Sequence, residues 1–282
     1  MNCKYRYLTL SGAMGVAGLL YGPSPALAQG YLGPSLTPFA VLGGTTVTCT
    51  GASAITGNVG VSPGSATSGF PVPCPGVPII PPASDPAQLD LTTAYNTLAA
   101  LPCSSTVGPD LAGLTLVQGV YCVNAAASNL TGTLTLDAQG NPNAVWVFQM
   151  SSSLITSPGS TVSVINGGNS CGVQWQVSSS ATIGSGTLFL GNILALTSIS
   201  MNTGANLTGR ALARNGAVTL DTNNVSFAAC GAVTAPPPFP GPGGGPGPVP
   251  TLPEIGAWAL LLVLLGSGAY LLSRRPPTEA SR

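Results

Sequence analysis

Few side chains in this sequence could do chemistry. Among 282 residues there are seven Lys or Arg, seven Asp or Glu, and no His. Without His, neither a Ser-His-Asp nor a Cys-His nucleophile can be assembled, and every His-ligated metal site is excluded. The carboxylates Asp85, Asp90, Asp110 and Asp137 are the acid–base candidates that remain. A glycosidase-type pair needs one acid of raised pKa in a cleft opposite a second carboxylate. Nothing in the spacing of these four argues for that, and helix-capping and turn roles account for all of them. Arg210 and Arg214 stand at even spacing, so they share a strand face, with Asp221 as the ordinary salt-bridge partner. The glycine-rich stretch Gly241 to Gly247 lacks the Lys-Ser/Thr that completes a phosphate loop.

The cysteines point to scaffolding. Cys3 belongs to a leader segment, leaving Cys49, Cys74, Cys103, Cys122, Cys171 and Cys230. An even number in an exported domain reads as disulfides. Of the connectivities that six cysteines allow, the sequential one is favoured: Cys49–Cys74, Cys103–Cys122 and Cys171–Cys230. It closes the shortest loops for the first two pairs, and the third staples the last strands to an earlier turn. Zinc is disfavoured, since there is no Cys-x-x-Cys and no His to complete a tetrahedral set. No cofactor is implied, and the chain is read as a non-enzyme.

The distribution of charge organises the chain. Only 5% of residues are charged, against about a quarter in ordinary soluble proteins. A net charge of zero offers no electrostatic footing for nucleic acid, and 44% hydrophobic content excludes charge-driven disorder. Residues 1–28 read as a signal peptide: a basic start with Lys4 and Arg6, an apolar stretch Leu8 to Leu20, and Ala26-Leu27-Ala28 for cleavage before Gln29. Residues 235–250 mix Pro and Gly and read as an extended linker. Residues 255–273 carry no charge and are long enough to cross a bilayer, with Arg274 and Arg275 on the cytoplasmic side. Between these ends the region 29–234 holds five Asp, two Arg, no Lys and no Glu, a net charge of −3.

That central region suits one all-β domain carrying one long helix. Short Val, Ile, Thr and Leu runs alternate with Gly, Asn, Ser and Pro turns. Residues 84–101 alone have helical spacing, with Leu91, Ala94, Tyr95, Leu98 and Leu101 on one face, Ser84 or Asp85 as the cap and Pro86 in the first turn. From 145 to 227 a weak repeat emerges. Aligning Ile155, Thr182, Ser200 and Thr219 gives spacings of 27, 18 and 19 residues. A period near 18–19 is one coil of a three-sided β-solenoid with three short strands per coil. The longer first spacing places an insertion around residues 166–169.

Alternation then assigns the faces. Leu154, Ala181, Ile183, Ile199, Met201, Val218 and Leu220 point inward. Ser153, Ile155, Ser180, Thr182, Ser198, Ser200, Ala217 and Thr219 point outward. Stacked coils array this outward set as a flat lattice, repeating at about 4.7–4.9 Å across strands and roughly 6.6 Å along them. Trp146 and Trp175 fall in strand cores, which argues against a glycan platform.

Several segments resemble the ice-binding-protein-like family, also known as the type 1 ice-binding adhesive domain. They are Phe39 to Thr48 (FAVLGGTTVT), Thr56 to Gly64 (TGNVGVSPG), Asp90 to Tyr95 (DLTTAY), Pro142 to Gln149 (PNAVWVFQ), Gly191 to Leu196 (GNILAL) and Gly209 to Asp221 (GRALARNGAVTLD). The resemblance spans residues 39–230. It implies an irregular three-sided β-solenoid with the helix packed alongside, and adsorption to ice without chemistry. The partner implied is an ice surface or ordered water, met by a single chain, with the eight outward residues as the contact face. A cell-surface adhesin or structural envelope protein without ice affinity is the alternative. Ahead of the apolar span, Val249-Pro250-Thr251-Leu252-Pro253-Glu254 resembles bacterial C-terminal sorting signals of the Ile-Pro-Thr-Leu and Pro-Glu-Pro type. That implies a membrane sorting protease as a second partner over residues 251–282, and a protein at the envelope surface or released from it. An ordinary single-span anchor is the plainer reading of the same segment.

Overall fold

The computed structural model describes residues 31–227. Their short β-rich runs form 22 strands in three sheets, with one α-helix, Asp85–Ala99, and one short 3-10 turn, Ser170–Gly172. Every strand pair is parallel. A chain that advances one strand per side and then turns a corner can only stack parallel, and the result is the three-sided solenoid.

Stack order departs from chain order at one end. The N-terminal coil, formed by Phe39–Gly43, Thr46–Thr50 and Ala54–Thr56, pairs with the last coil, Ala211–Ala213, Val218–Asp221 and Asn224–Ser226. Strands Asn58–Val61 and Ala66–Ser68 extend the stack beyond it. The helix then carries the chain to the other end. From there the coils return in order through Trp146–Met150, Val173–Val177 and Asn192–Ala195. The 27-residue spacing has its physical cause here: a five-residue strand, Thr161–Ile165, is followed by a turn and the 3-10 helix, where later coils have three-residue strands.

The interior is apolar and continuous. Leu154, Ala181, Ile199 and Val218 are fully buried in register, as alternation requires. Beside them runs an aromatic stack through successive coils: Tyr121 to Phe148 at 5.6 Å between ring centroids, Phe148 to Trp175 at 4.1 Å, and Trp175 to Phe189 at 4.9 Å. The indole N–H groups of Trp146 and Trp175 donate to Leu116 and Leu190 carbonyls, so their burial leaves no donor stranded. At the corner preceding strand Asn192–Ala195, Gly191 adopts φ +110°, and a Cβ there would lie 2.8 Å from the Trp175 ring nitrogen. Only glycine fits.

A second core lies outside the first sheet, beneath the helix. Leu91, Ala94, Tyr95 and Leu98 pack on Val147, Leu194 and Leu212, with Leu32, Leu36 and Phe39 closing the side. The helical face read from the sequence is therefore the buried one, and Leu101 packs at its edge. The expected side-chain cap is absent. Ser84 Oγ donates instead to the Val61 carbonyl at 2.6 Å, and Asp85 accepts from Ser62 Oγ at 2.6 Å. The helix start is thus bonded to the sheet beneath it. At its other end Gln149 Nε2 donates to the Leu98 and Leu101 carbonyls at 2.7 and 2.8 Å, satisfying two acceptors that the helix leaves open.

Two arginines correct the salt-bridge expectation. Arg210 and Arg214 do share the helix side of the first sheet. Asp221, however, lies past a corner on the second sheet, and among the described residues neither arginine pairs with it. Arg210 is buried, donating to Asn192 Oδ1 at 3.1 Å and the Thr37 carbonyl at 2.8 Å and lying 3.9 Å from the Phe227 ring centroid. Arg214 donates to Thr92 and Asn96 on the helix and stacks over Tyr95.

Disulfides Cys49–Cys74 and Cys103–Cys122 form as expected. Cys171 is disulfide-bonded as well, while Cys230 lies outside the described residues, as do residues 1–30, the linker 235–250 and the segment 251–282. Among the described residues no helix is long and apolar enough to cross a membrane.

Candidate functional site

The outward residues of the second sheet come into register as their spacing requires. Ile155 pairs with Thr182, Thr182 with Ser200, and Ser200 with Thr219. The structure lengthens this column at both ends. Thr48 pairs with Thr219 and Ser68 with Thr48, while Asn129 lies beside Ile155. Thr48 belongs to the N-terminal coil and Ser68 to the strand that extends the stack beyond it, both far away in the chain. The alternation Thr46-Val47-Thr48-Cys49-Thr50 is the sequence signal that marks that strand as part of the same kind of face. Seven strands at about 4.8 Å give the column a length of roughly 29 Å.

The second predicted row resolves differently. Ser180, Ser198 and Ala217 precede the strands, which begin at Ala181, Ile199 and Val218. Ser198 Oγ accepts from the Ala217 amide at 3.1 Å, Ser180 Oγ from the Ser198 amide at 3.4 Å, and Ser180 exchanges a hydrogen bond of 2.7 Å with Thr197. These hydroxyls bond one coil to the next at a corner. Ser153 alone of that row sits inside a strand, Ser153–Thr156, where it pairs with Ala127. By contrast, the hydroxyls of Thr48, Thr182, Ser200 and Thr219 have no intramolecular partner among the described residues. They are half-buried by their neighbours and face outward.

Two carboxylates border the column, Asp221 at its side and Asp110 in a parallel bridge with Asn129 at its end. Asp221 is two residues beyond Thr219, pairs with Thr50, and accepts hydrogen bonds from the Thr203 and Thr222 hydroxyls. Asp110 and the remaining carboxylates are turn or tether residues. Asp110 accepts from the Thr131 hydroxyl and the amides of Ala112 and Thr131. Partial burial would raise its pKa, but these bonds outweigh it and hold the carboxyl below its usual range. Asp137 is held low by Asn166 and the Gln139 amide. Asp90 accepts from the Ser35 amide at 2.8 Å.

Among the described residues no group of His, Cys, Asp or Glu could hold a metal ion. Two cavities flank the C-terminal end of the helix. One of about 350 Å³ is lined chiefly by apolar groups such as Leu101, Val120 and Val147; another of about 250 Å³ is lined by Gln149, Gln176 and Ser178 among others. Neither is lined by a carboxylate, a lysine or an arginine. The second sheet presents a strip of hydroxyl and methyl groups at fixed spacing, interrupted by Ile155, at 42% exposure, and ending in the Asn129 amide.

Comparison with known proteins agrees with this geometry. The profile of the family described as Ice-binding-like matches residues 41–226. The chain belongs to the ice-binding-like family. An ice-binding protein of Nostoc sp. (strain HG1) is 53% identical over 196 residues, covering 67% of this chain and 71% of that protein. Among solved structures, an ice binding protein from an Antarctic biological consortium superposes with a TM-score of 0.66 at 44% identity, covering 69% of this chain and 89% of that one. The ice-binding protein of the Antarctic ascomycete Antarctomyces psychrotrophicus gives 0.64 at 36% identity, covering 68% and 95%.

Proposed function

We propose that this protein binds ice by adsorption through the outer column of the second sheet. The observation that carries the reading is the register that sets Thr48, Thr219, Ser200 and Thr182 side by side with unpartnered hydroxyls. A hydroxyl can take a lattice position of surface water, while the threonine methyl and the wall of the next strand restrict how that water turns. Water held in an ice-like arrangement then merges with the crystal. Charged groups would orient water to suit themselves, so a strip whose bordering carboxylates, Asp221 and Asp110, are already occupied by hydrogen bonds favours this outcome. Relatives in the family are named as ice-binding proteins, which supports the same conclusion.

The protein acts without catalysis, cofactor or nucleic acid, and as a monomer. Residues 1–28 direct export. The linker 235–250 and the segment 251–282 deliver the domain to a sorting protease at the membrane and leave it at the envelope surface or in the medium. The sequence motifs support this placement.

Thermal hysteresis of the oxidised protein is the test. The parent produces a freezing-point gap and inhibits ice recrystallisation. Thr182→Tyr with Thr219→Tyr places two bulky rings in mid-column and lowers that activity at least several-fold, with circular dichroism unchanged. A parent without hysteresis at high concentration overturns the reading and favours an adhesin or structural envelope protein.

A further inference from the structure

The third sheet presents a second ordered array, and it is the wider of the two. Strand phase is the reason. In the second sheet the short strands Ala181–Ile183 and Ile199–Met201 begin and end on inward residues, leaving one outward position each. In the third sheet the strands Asn206–Thr208 and Asn224–Ser226 begin and end on outward residues, with Leu207 and Val225 buried between them. Each strand of that kind therefore contributes two outward positions, roughly 6.6 Å apart.

Register lines these positions up. Ser226 pairs with Thr56 and Thr208 with Ser226; farther along, Thr135 pairs with both Ser163 and Thr115. Six of the seven strands thus place a hydroxyl in one column, and Leu190 fills the seventh place. The parallel column carries Thr133 against Thr161, and Asn206 against Asn224. Among the described residues none of these threonine and serine hydroxyls has an intramolecular partner. The array extends over roughly 29 Å at about 4.8 Å per strand. Its charge is Asp137, at the edge, with its carboxylate engaged by Asn166 at 2.7 Å and the Gln139 amide at 2.8 Å. Leu188, 54% exposed, interrupts the second column.

We infer that the outer side of the third sheet is a second ice-adsorbing surface, separate from the second-sheet column. This rests on the ice-binding reading above. The corner between the two faces is fixed by hydrogen bonds: Asn223 Nδ2 donates to the Asn202 and Ala205 carbonyls at 2.9 and 3.0 Å, and the Thr156 and Thr187 hydroxyls bond at 3.1 Å. Two sides of a three-sided coil held at a fixed angle do not lie together on one flat crystal plane. Each face therefore meets its own set of ice planes.

The experiment compares four forms of the oxidised protein. They are the parent, a second-sheet pair (Thr182→Tyr, Thr219→Tyr), a third-sheet pair (Thr135→Tyr, Thr208→Tyr), and the combination. Tyrosine suits exposed strand positions, so folding is retained, and circular dichroism melts check it. If the pair fails to fold, the single variants Thr135→Tyr and Thr208→Tyr replace it. The readouts are hysteresis and the planes decorated by fluorescently labelled protein on a single-crystal ice hemisphere. The parent decorates two sets of planes. Each pair loses one set and at least half of the hysteresis, and the combination loses both. A third-sheet variant that folds and keeps the parent's full hysteresis and every plane overturns this inference and leaves the first face standing. A parent without hysteresis overturns the ice-binding reading itself.

Discussion

Ile155 and Arg210 show what single residues contribute on the two sides of the sheets. Ile155 stands in the hydroxyl column without a hydroxyl, beside Thr182. Ile155→Thr keeps the β-branched shape and adds the missing group. Its stability cost is that of a half-exposed surface site, within about 0.5 kcal/mol. Hysteresis at equal concentration should rise, and an unchanged value would show that this end of the column does not touch ice. Arg210 is the opposite case. Burial pushes its guanidinium down to about 10, so it remains charged at neutral pH. Its hydrogen bonds join Asn192 on the neighbouring coil to Thr37 in the N-terminal segment, and its face covers Phe227 near the end of the described chain. Arg210→Ala leaves two acceptors without their donor and removes the packing on Phe227. Denaturant unfolding should report a loss of about 2–4 kcal/mol, with the hydroxyl column intact.

Elements were legible from the sequence wherever one local pattern decides them. The helix followed from one apolar face, and the inward columns followed from alternation across a near-constant period. What escaped has a physical reason in each case. Thr48 and Ser68 join the column because the N-terminal coil stacks on the last coil, and stacking between segments about 170 residues apart leaves no mark in a local period. The corner role of Ser180 and Ser198 depends on strands beginning one residue later than alternation alone suggests. The cap at Ser84 failed because a tertiary acceptor, the Val61 carbonyl, took its hydroxyl. The third sheet's array was missed because Leu188 and Leu190 interrupt its hydroxyls. The helix acts as a clamp on the first sheet. Leu91 is fully buried between the helix and the first sheet. Leu91→Ala should cost about 2–5 kcal/mol, read by thermal unfolding. Activity per folded molecule at low temperature should persist, since neither hydroxyl face contacts the helix.

Taken as a whole, the molecule has the charge economy of a surface built to meet neutral water. Its scarce ionisable groups are tied down at turns, helix contacts and corners, and their titration sets how the protein responds to pH. No histidine is present, and the four cysteines of the two described disulfide pairs do not titrate. Tyr31 and Tyr121 are raised by burial, which keeps them neutral well into alkaline solution. Without histidine, the chain lacks the side chain that ordinarily titrates between about pH 5 and 8. The carboxylates of Asp110 and Asp137 have folded pKa values below their unfolded ones. A depressed carboxyl contributes stability above its unfolded pKa and loses that contribution as pH falls through the folded value. Hysteresis should therefore stay constant from about pH 5 to 8, while the melting temperature should begin to fall only below about pH 4. Asp110→Asn should flatten part of that acid-side fall, because its turn then has no carboxylate to protonate. A hysteresis midpoint near neutrality would contradict this account, for the chain has no histidine to supply a group that ordinarily titrates in that range.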